Sequence, residues 1–305
     1  MARKTIDLSN PHPQYEGEKA IDLRKCIGCG TCIKVCPTRA MEMRAGKAHV
    51  ERPYYCVRCG HCASVCDYDA ITETGAEPKR ITPAQLKRSP TPEALQFLLR
   101  SRRSVRLYKN TPVSKKDLEK ILEAGRYTAT GTNSQGVRYM IFTDPKGIEE
   151  LKVAAVPLVV KVMKRVGRIA STPLGKSLMG EKLASRMKDL YLPGMDEVME
   201  LYKKGEDPVF YNAPALMLVY GEKLDDTTAF GCSTALYNCS LMAHTLGIGC
   251  CFNGYLQTVI NHDKEIKKML GIPKYCKCWG AMTLGYQNVK YNRLTRRKPV
   301  DVTWM

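Results

Sequence analysis

Downstream of Glu93 the apolar positions follow helical and strand periods in alternation. Glu93 to Arg102 sets Leu95, Leu98 and Leu99 on one side, the spacing of a helix face. Ser114 is a helix N-cap, with Asp117 three residues on to complete a capping box and Leu118, Ile121 and Leu122 as the apolar face. Val137 to Thr143 predicts a strand, and Pro214 to Tyr220 is an apolar run of strand length. Between them, residues 157–205 read as mostly helical and rich in methionine. Thr228 to Leu246 is helical and apolar nearly all round, which predicts a buried helix, and Gly247 and Gly249 end it. Lys277 to Tyr286 predicts a last strand. The alternation implies an α+β layer fold.

The region before Glu93 has a different texture. Cys26, Cys29, Cys32 and Cys36 recur as Cys56, Cys59, Cys62 and Cys66, each shifted by 30 residues, and Gly30 recurs as Gly60. Two copies of a unit too small to bury a core alone predict a mini-domain held by metal. From Gly75 to Pro92 the chain turns to Pro78, Pro83, Pro90 and Pro92 among Lys79, Arg80, Lys87 and Arg88, the composition of an extended, semi-rigid linker. The 305 residues thus divide into 1–75, a linker at 76–91, and 92–305.

Composition narrows the function classes. The 14 cysteines point to metal binding in a reducing compartment rather than to disulfides. The longest apolar run, Val153 to Met163, is interrupted by Pro157 and Lys161, too short to cross a membrane. Met1 to Lys19 has no apolar signal core, so the expected location is cytoplasmic, with no membrane partner. The net charge of +18 raises the question of nucleic acid, but no such motif is present and the basic residues are scattered. A basic face for an acidic electron carrier fits better.

Cys26-Ile-Gly-Cys29-Gly-Thr-Cys32-Ile-Lys-Val-Cys36-Pro37 is a C-x2-C-x2-C-x3-C-P run. Gly28 and Gly30 allow three thiolates to wrap one face of a cubane. Zinc prefers four ligands in C-x2-C pairs and leaves the third cysteine of each run surplus. Residues 20–75 resemble a two-cluster bacterial ferredoxin. The resemblance implies two [4Fe–4S] clusters, one on Cys26, Cys29, Cys32 and Cys66, the other on Cys56, Cys59, Cys62 and Cys36. The second run departs from the pattern by ending Cys66-Asp67 where proline is expected.

The later segment carries Arg102-Arg103-Ser104-Val105-Arg106, a guanidinium and hydroxyl cluster suited to a phosphate. Thr128-Ala-Thr-Gly131-Thr-Asn133-Ser-Gln135 follows. Late in the chain come Leu246-Gly-Ile-Gly-Cys-Cys-Phe252-Asn253-Gly254, then Leu284-Gly-Tyr, then Arg296-Arg297-Lys298-Pro299. In that order and spacing these segments resemble the nitroreductase family of FMN enzymes over residues 92–305, with a variable middle at 150–210. The resemblance implies a domain-entwined homodimer. Arg102, Arg103, Ser104 and Arg106 would hold the FMN phosphate and ribityl chain. Thr130, Gly131, Thr132 and Asn133 would reach the flavin across the dimer, and Phe252, Asn253 and Gly254 would lie by its ring, their backbone N–H groups facing N5 and O4. Arg297, with Arg296, would return to the phosphate. Thr130 and Gly131 replace the family's usual Pro-Ser, and Gly136-Val137 its usual Pro-Trp, which implies a smaller active-site wall.

Gly247 and Gly249 lack the strand–turn–helix context of a dinucleotide fingerprint, so no dedicated nicotinamide site is expected. Cys232, Cys239, Cys250, Cys251, Cys276 and Cys278 read as core, His244 as a hydrogen-bonded core residue, and His61 as a neighbour of the second cluster at most. The middle segment, with Met163, Met179, Met187, Tyr191, Met195, Met199 and Tyr202, is either a substrate lid or ordinary packing. Together the readings point to an iron–sulfur flavoprotein oxidoreductase. A low-potential donor such as ferredoxin would supply the clusters, the clusters would load FMN, and FMN would reduce an electron-poor small molecule: a nitro compound, a quinone or an activated double bond. No side chain stands out as catalytic. The alternatives are a flavoprotein that only transfers or senses electrons, and a basic binding protein with structural metals.

Overall fold

The computed structural model describes residues 19–73 and 80–305. The polar N-terminal segment and the start of the proline-rich linker lie outside the described residues. The chain forms two compact units. One contains the residues up to Pro90 together with Gly131–Ser134; the other contains Thr91–Thr130 and Gln135–Met305.

In the first unit, β1 (Lys19–Ile21) pairs antiparallel with β4 (Ile71–Glu73), and β2 (Met41–Arg44) pairs with β3 (Lys47–Val50) as a hairpin. Two one-turn helices, α1 (Thr31–Lys34) and α2 (His61–Ser64), occupy equivalent places in the two sequence repeats. Each begins after a left-handed glycine, Gly30 at φ 73° and Gly60 at φ 74°. The buried cluster is small: Cys32, Met41, Ala48, Cys62, Ala63 and Ile71. So little apolar burial cannot by itself outweigh the chain entropy of ordering such a unit.

The linker is less extended than its composition implies. Thr82 closes a reciprocal capping box with Gln85, and Pro83 occupies the first turn, so a short helix, α3 (Pro83–Leu86), forms there. Helix α4 (Pro92–Ser101) then starts on the Thr91 cap. Helix α5 (Lys115–Arg126) starts on Ser114, whose Oγ accepts from the Asp117 N–H and donates to the Asp117 carboxylate.

The second unit is α+β. Its sheet has the order β5 (Arg138–Phe142), β6 (Ala215–Glu222), β8 (Cys276–Tyr286), β7 (Ile248–Phe252), antiparallel throughout. Strand β6 is apolar along its length because both faces are covered. Leu216 and Leu218 join the core beneath α6 (Pro145–Ala170), α9 (Leu192–Lys203), α11 (Gly254–His262) and α12 (Lys264–Met269). Ala215, Met217 and Val219 join the core beneath α5 and α10 (Asp226–Thr245). A register shift at Val219/Tyr220 brings Cys276, Cys278 and Ala281 of β8 to one core, while Met282 and Leu284 face the other.

Two further expectations change. The helix of the middle region begins at Pro145, twelve residues before the predicted 157, and runs through Pro157. Proline removes the bond to the Val153 carbonyl, but Val153 lies on the 55% exposed flank, where water can take that place. The segment after α10 is a strand, although its glycines read as a helix stop. A Cβ on Gly249 would come within 2.7 Å of Val105 Cβ, so the glycine belongs to a close tertiary approach. The rest of the insert is helical: α7 (Pro173–Met179), α8 (Glu181–Arg186) and a π-helical turn at Met187–Tyr191. Met195 is fully buried, and Met163, Met199 and Tyr202 pack on the same core. Among the described residues no helix is long and apolar enough to cross a membrane.

Candidate functional site

The cysteines of the first unit line two cavities. One is lined by Cys26, Cys29, Cys32 and Cys66. The other is lined by Cys36, Cys56, Cys59 and Cys62, with Pro37 and His61 beside them. The fourth cysteine of each run therefore faces the cavity of the other run. Left-handed backbone at Gly28 (φ 75°) and Arg58 (φ 50°) bends each loop between its first two cysteines. Thr31, through its backbone N–H and hydroxyl, holds the Cys29 thiol below its ordinary pKa. Burial pushes Cys36 up, but the Ala40 N–H at 3.3 Å and Thr38 together outweigh it and leave the thiol lowered. Burial pushes Cys32 up. Among the described residues no three His, Cys, Asp or Glu side chains converge tightly enough to hold a single ion. Four thiols around a void fit a multi-atom cluster. At the departure from the motif, Arg80 donates to the Asp67 carbonyl and, at 2.9 Å, to the Asp69 carboxylate.

In the second unit, residues 102–106 lie against β7. Ser104 bridges to Cys250 in parallel, and the Val105 N–H donates to the Cys250 carbonyl at 2.9 Å. The Arg102 guanidinium sits 5.8 Å from the Phe252 ring and 5.9 Å from that of Tyr237. Its Nε and Nη1, and the Nε of Arg103, are buried with no hydrogen-bond partner. Buried, unpartnered guanidinium nitrogens are costly, and an anion is the group that satisfies them. The residues present therefore fit a phosphate. Arg103 Nη1 donates to the Arg100 and Arg102 carbonyls, which fixes its fork. Arg106 sits 5.6 Å from the Tyr211 ring.

Phe252 is 38% exposed, and a side chain added at Gly254 would meet open space. Asn253 is different. Its backbone N–H donates to the Ala281 carbonyl at 2.8 Å, its amide to the Val209 carbonyl at 2.8 Å, and its Oδ1 accepts from Leu256. Asn253 thus caps α11 and holds the loop, and its N–H is not available to a ligand. Thr130 Oγ1 accepts from the Gln135 N–H at 3.0 Å. Gly131, Thr132 and Asn133 form a tight turn with Thr132 at φ 49° and Asn133 at φ 56°. The Asn133 amide donates to the Val57 and Arg58 carbonyls at 3.2 and 3.0 Å, which places it in the first unit. Arg296 and Arg297 are exposed in the C-terminal segment and make no hydrogen bond or ion pair among the described residues.

Sequence reasoning passed over a tyrosine group. Tyr211 and Asn212 are consecutive left-handed residues at φ 60° and 50°. The buried Asp207 carboxylate braces them by accepting from the N–H groups of Val209, Phe210 and Asn212. Such strain persists only where the surroundings enforce it. Tyr255 directly follows Gly254 and packs edge-on to Tyr191, with ring centroids 6.4 Å apart. Burial first, then the neighbouring phenols of Tyr191 and Tyr211, raise the Tyr255 pKa. The only signal in the sequence was the position of Tyr255 beside Phe-Asn-Gly. His244 accepts or donates a 2.9 Å bond with Ser101 Oγ, and burial, then Arg102 and Arg103, lower its pKa.

Comparison with known proteins bears on both units. The nitroreductase family model matches residues 99–286, and the 4Fe-4S dicluster domain model matches residues 18–67. Ferredoxin-2 of Desulfomicrobium norvegicum is 54% identical over 28 residues, 9% of this chain and 48% of the ferredoxin, so the match spans about half of that relative. A nitroreductase with bound FMN from Bacteroides fragilis is 25% identical, covering 70% of this chain and 100% of its own, with a TM-score of 0.46. A second, from Desulfitobacterium hafniense, also with bound FMN, is 20% identical over 68% of this chain and 97% of its own, with a TM-score of 0.49.

Proposed function

The chain belongs to the nitroreductase family, with a 4Fe–4S dicluster domain ahead of the family region, and from that premise we propose that it is an iron–sulfur flavoprotein oxidoreductase acting on an electron-poor small molecule. Cys26, Cys29, Cys32 and Cys66 would hold one [4Fe–4S] cluster, and Cys36, Cys56, Cys59 and Cys62 the other. FMN would bind in the second unit with its phosphate on Arg102 and Arg103. When bound, these groups supply single-electron relay and two-electron reduction respectively.

The observation that carries the reading is the set of buried, partnerless nitrogens on Arg102 and Arg103 beside the half-exposed Phe252. The protein's own part is to bind, orient and keep protons in place. Gly254 leaves room, and the partly buried Tyr255, its pKa raised by burial first and then by the neighbouring phenols, keeps its proton as a hydrogen-bond donor. Substrates of this chemistry carry nitro, quinone or activated alkene groups. Homodimer formation is part of the proposal, supported by apolar residues left exposed on α10 and α4, Phe230 at 65% and Phe97 at 62%.

Cofactor analysis of the anaerobically purified chain tests the proposal. The cysteine run predicts about eight iron and eight sulfide per chain, with one FMN. Stoichiometric zinc without a brown chromophore contradicts it.

A further inference from the structure

The two cysteine loops are braced by different partners. In the first, a Cβ on Gly28 would fall 2.1 Å from the Gly46 carbonyl oxygen, so the loop lies directly on the β2–β3 turn. Lys47 of that hairpin donates to the Cys26 carbonyl, and Met43 Cε packs 3.6 Å from the Cβ position of Gly30. Among the described residues the second repeat is followed by β4 and shows no such hairpin. Arg58 stands where Gly28 stands, in left-handed backbone that glycine would adopt more easily, and its Nη1 is buried without a partner. Nothing lies within 4 Å of a Cβ built on Gly60.

The missing brace is supplied from far along the chain. Asn133 Nδ2 donates to the carbonyls of both Val57 and Arg58, two of the three peptide groups between Cys56 and Cys59. Asn133 is itself left-handed at φ 56°, a conformation asparagine tolerates better than most residues. Its amide has two donors, and both loop carbonyls lie within their reach.

We infer that Asn133 is a positioning residue for the second cluster and not a flavin ligand. The inference rests on the cluster assignment proposed above. By fixing two of the peptide groups between successive thiolates, Asn133 orients Cys56 and Cys59 and limits solvent access to the loop. Hydrogen bonding and exposure around the sulfurs are what tune a cluster's potential, so loss of the amide moves that potential and loosens the cluster.

Two full-chain variants test this. Asn133→Gly removes the donor and suits the backbone, and Asn133→Asp sets a carboxylate against two carbonyls. Each is purified anaerobically and assayed for iron, flavin and the midpoint potential of each cluster by EPR-monitored titration. The expected result is one cluster signal shifted in potential and lost in air roughly tenfold faster, as two neutral hydrogen bonds allow, with Asp worse than Gly. The other signal and the FMN content stay at wild-type values. Loss of FMN with both potentials unchanged overturns the inference and restores the family role. Unchanged clusters and flavin overturn it too. A wild-type chain without iron overturns this inference together with the cluster assignment, and is recognised before any variant is made.

Discussion

In the first unit the thiols of Cys29 and Cys36 are held below their ordinary pKa, the first by Thr31 and the second by N–H and hydroxyl groups that outweigh its burial. In the second unit burial pushes Cys232, Cys239 and Cys278 up to about 12 and Cys250 up to about 11. A thiol becomes a ligand only as a thiolate, and backbone N–H groups aimed at sulfur favour that form. A thiol in an apolar core keeps its proton and acts as a small hydrophobe. The same residue type thus sits in two environments, one that favours the thiolate at Cys29 and Cys36 and one that holds the neutral thiol as packing. The cores agree. Two of the eight buried residues among those described in the first unit are themselves cysteines of the runs, whereas the second unit buries residues on both faces of its sheet.

The comparison breaks most visibly if the clusters are removed. Chelation under denaturant-free, anaerobic conditions is expected to abolish hydrogen-exchange protection of the backbone at residues 19–73, because metal binding and folding are one event in such a unit. Strands β6 and β8 are expected to keep theirs. Protection retained in both units contradicts a metal-held first unit.

A smaller effect sharpens the anion site of the second unit. Arg102→Ala removes charge-assisted bonds of roughly 1.5–3 kcal/mol each, so FMN affinity should fall at least tenfold while iron per chain is unchanged. Stoichiometric FMN retained through desalting would place the phosphate elsewhere.

The smallest effect concerns pH. The thiols of Cys232, Cys239 and Cys278 carry an ordinary value of 9.0 when unfolded and about 12 when folded. Between those values the unfolded chain has released protons that the folded chain retains, so stability falls as pH rises. Their contribution is complete below about pH 9 and lost by about pH 12. Denaturation monitored by exchange at β8 should show this slope, and Cys239→Ala should flatten it. An identical slope in the variant would remove this thiol from the account.

Much of this was legible from local pattern. The cysteine runs, their glycines and the strands at β5, β6 and β8 are set by spacing and by apolar runs bounded by proline or glycine. What escaped depends on contacts between distant residues. Gly249 reads as a helix stop until Val105 is seen against it. The reach of Asn133 to Val57 and Arg58 spans some 75 residues and leaves no mark in local pattern. The Asn253 N–H reads as free until Ala281 is found on it. Tyr211 draws attention only through its backbone strain, which no composition reveals.

The proposed function carries one central expectation, that electrons would enter through the first unit. Stopped-flow reduction of the flavin tests it, using the intact chain and a Cys29→Ser, Cys59→Ser variant whose second unit is verified as folded. Reduced ferredoxin should bleach the flavin of the intact chain quickly and that of the variant not at all, while a small chemical reductant bleaches both. Fast and complete bleaching by NADH or NADPH, at one rate with and without the clusters, would contradict the claim.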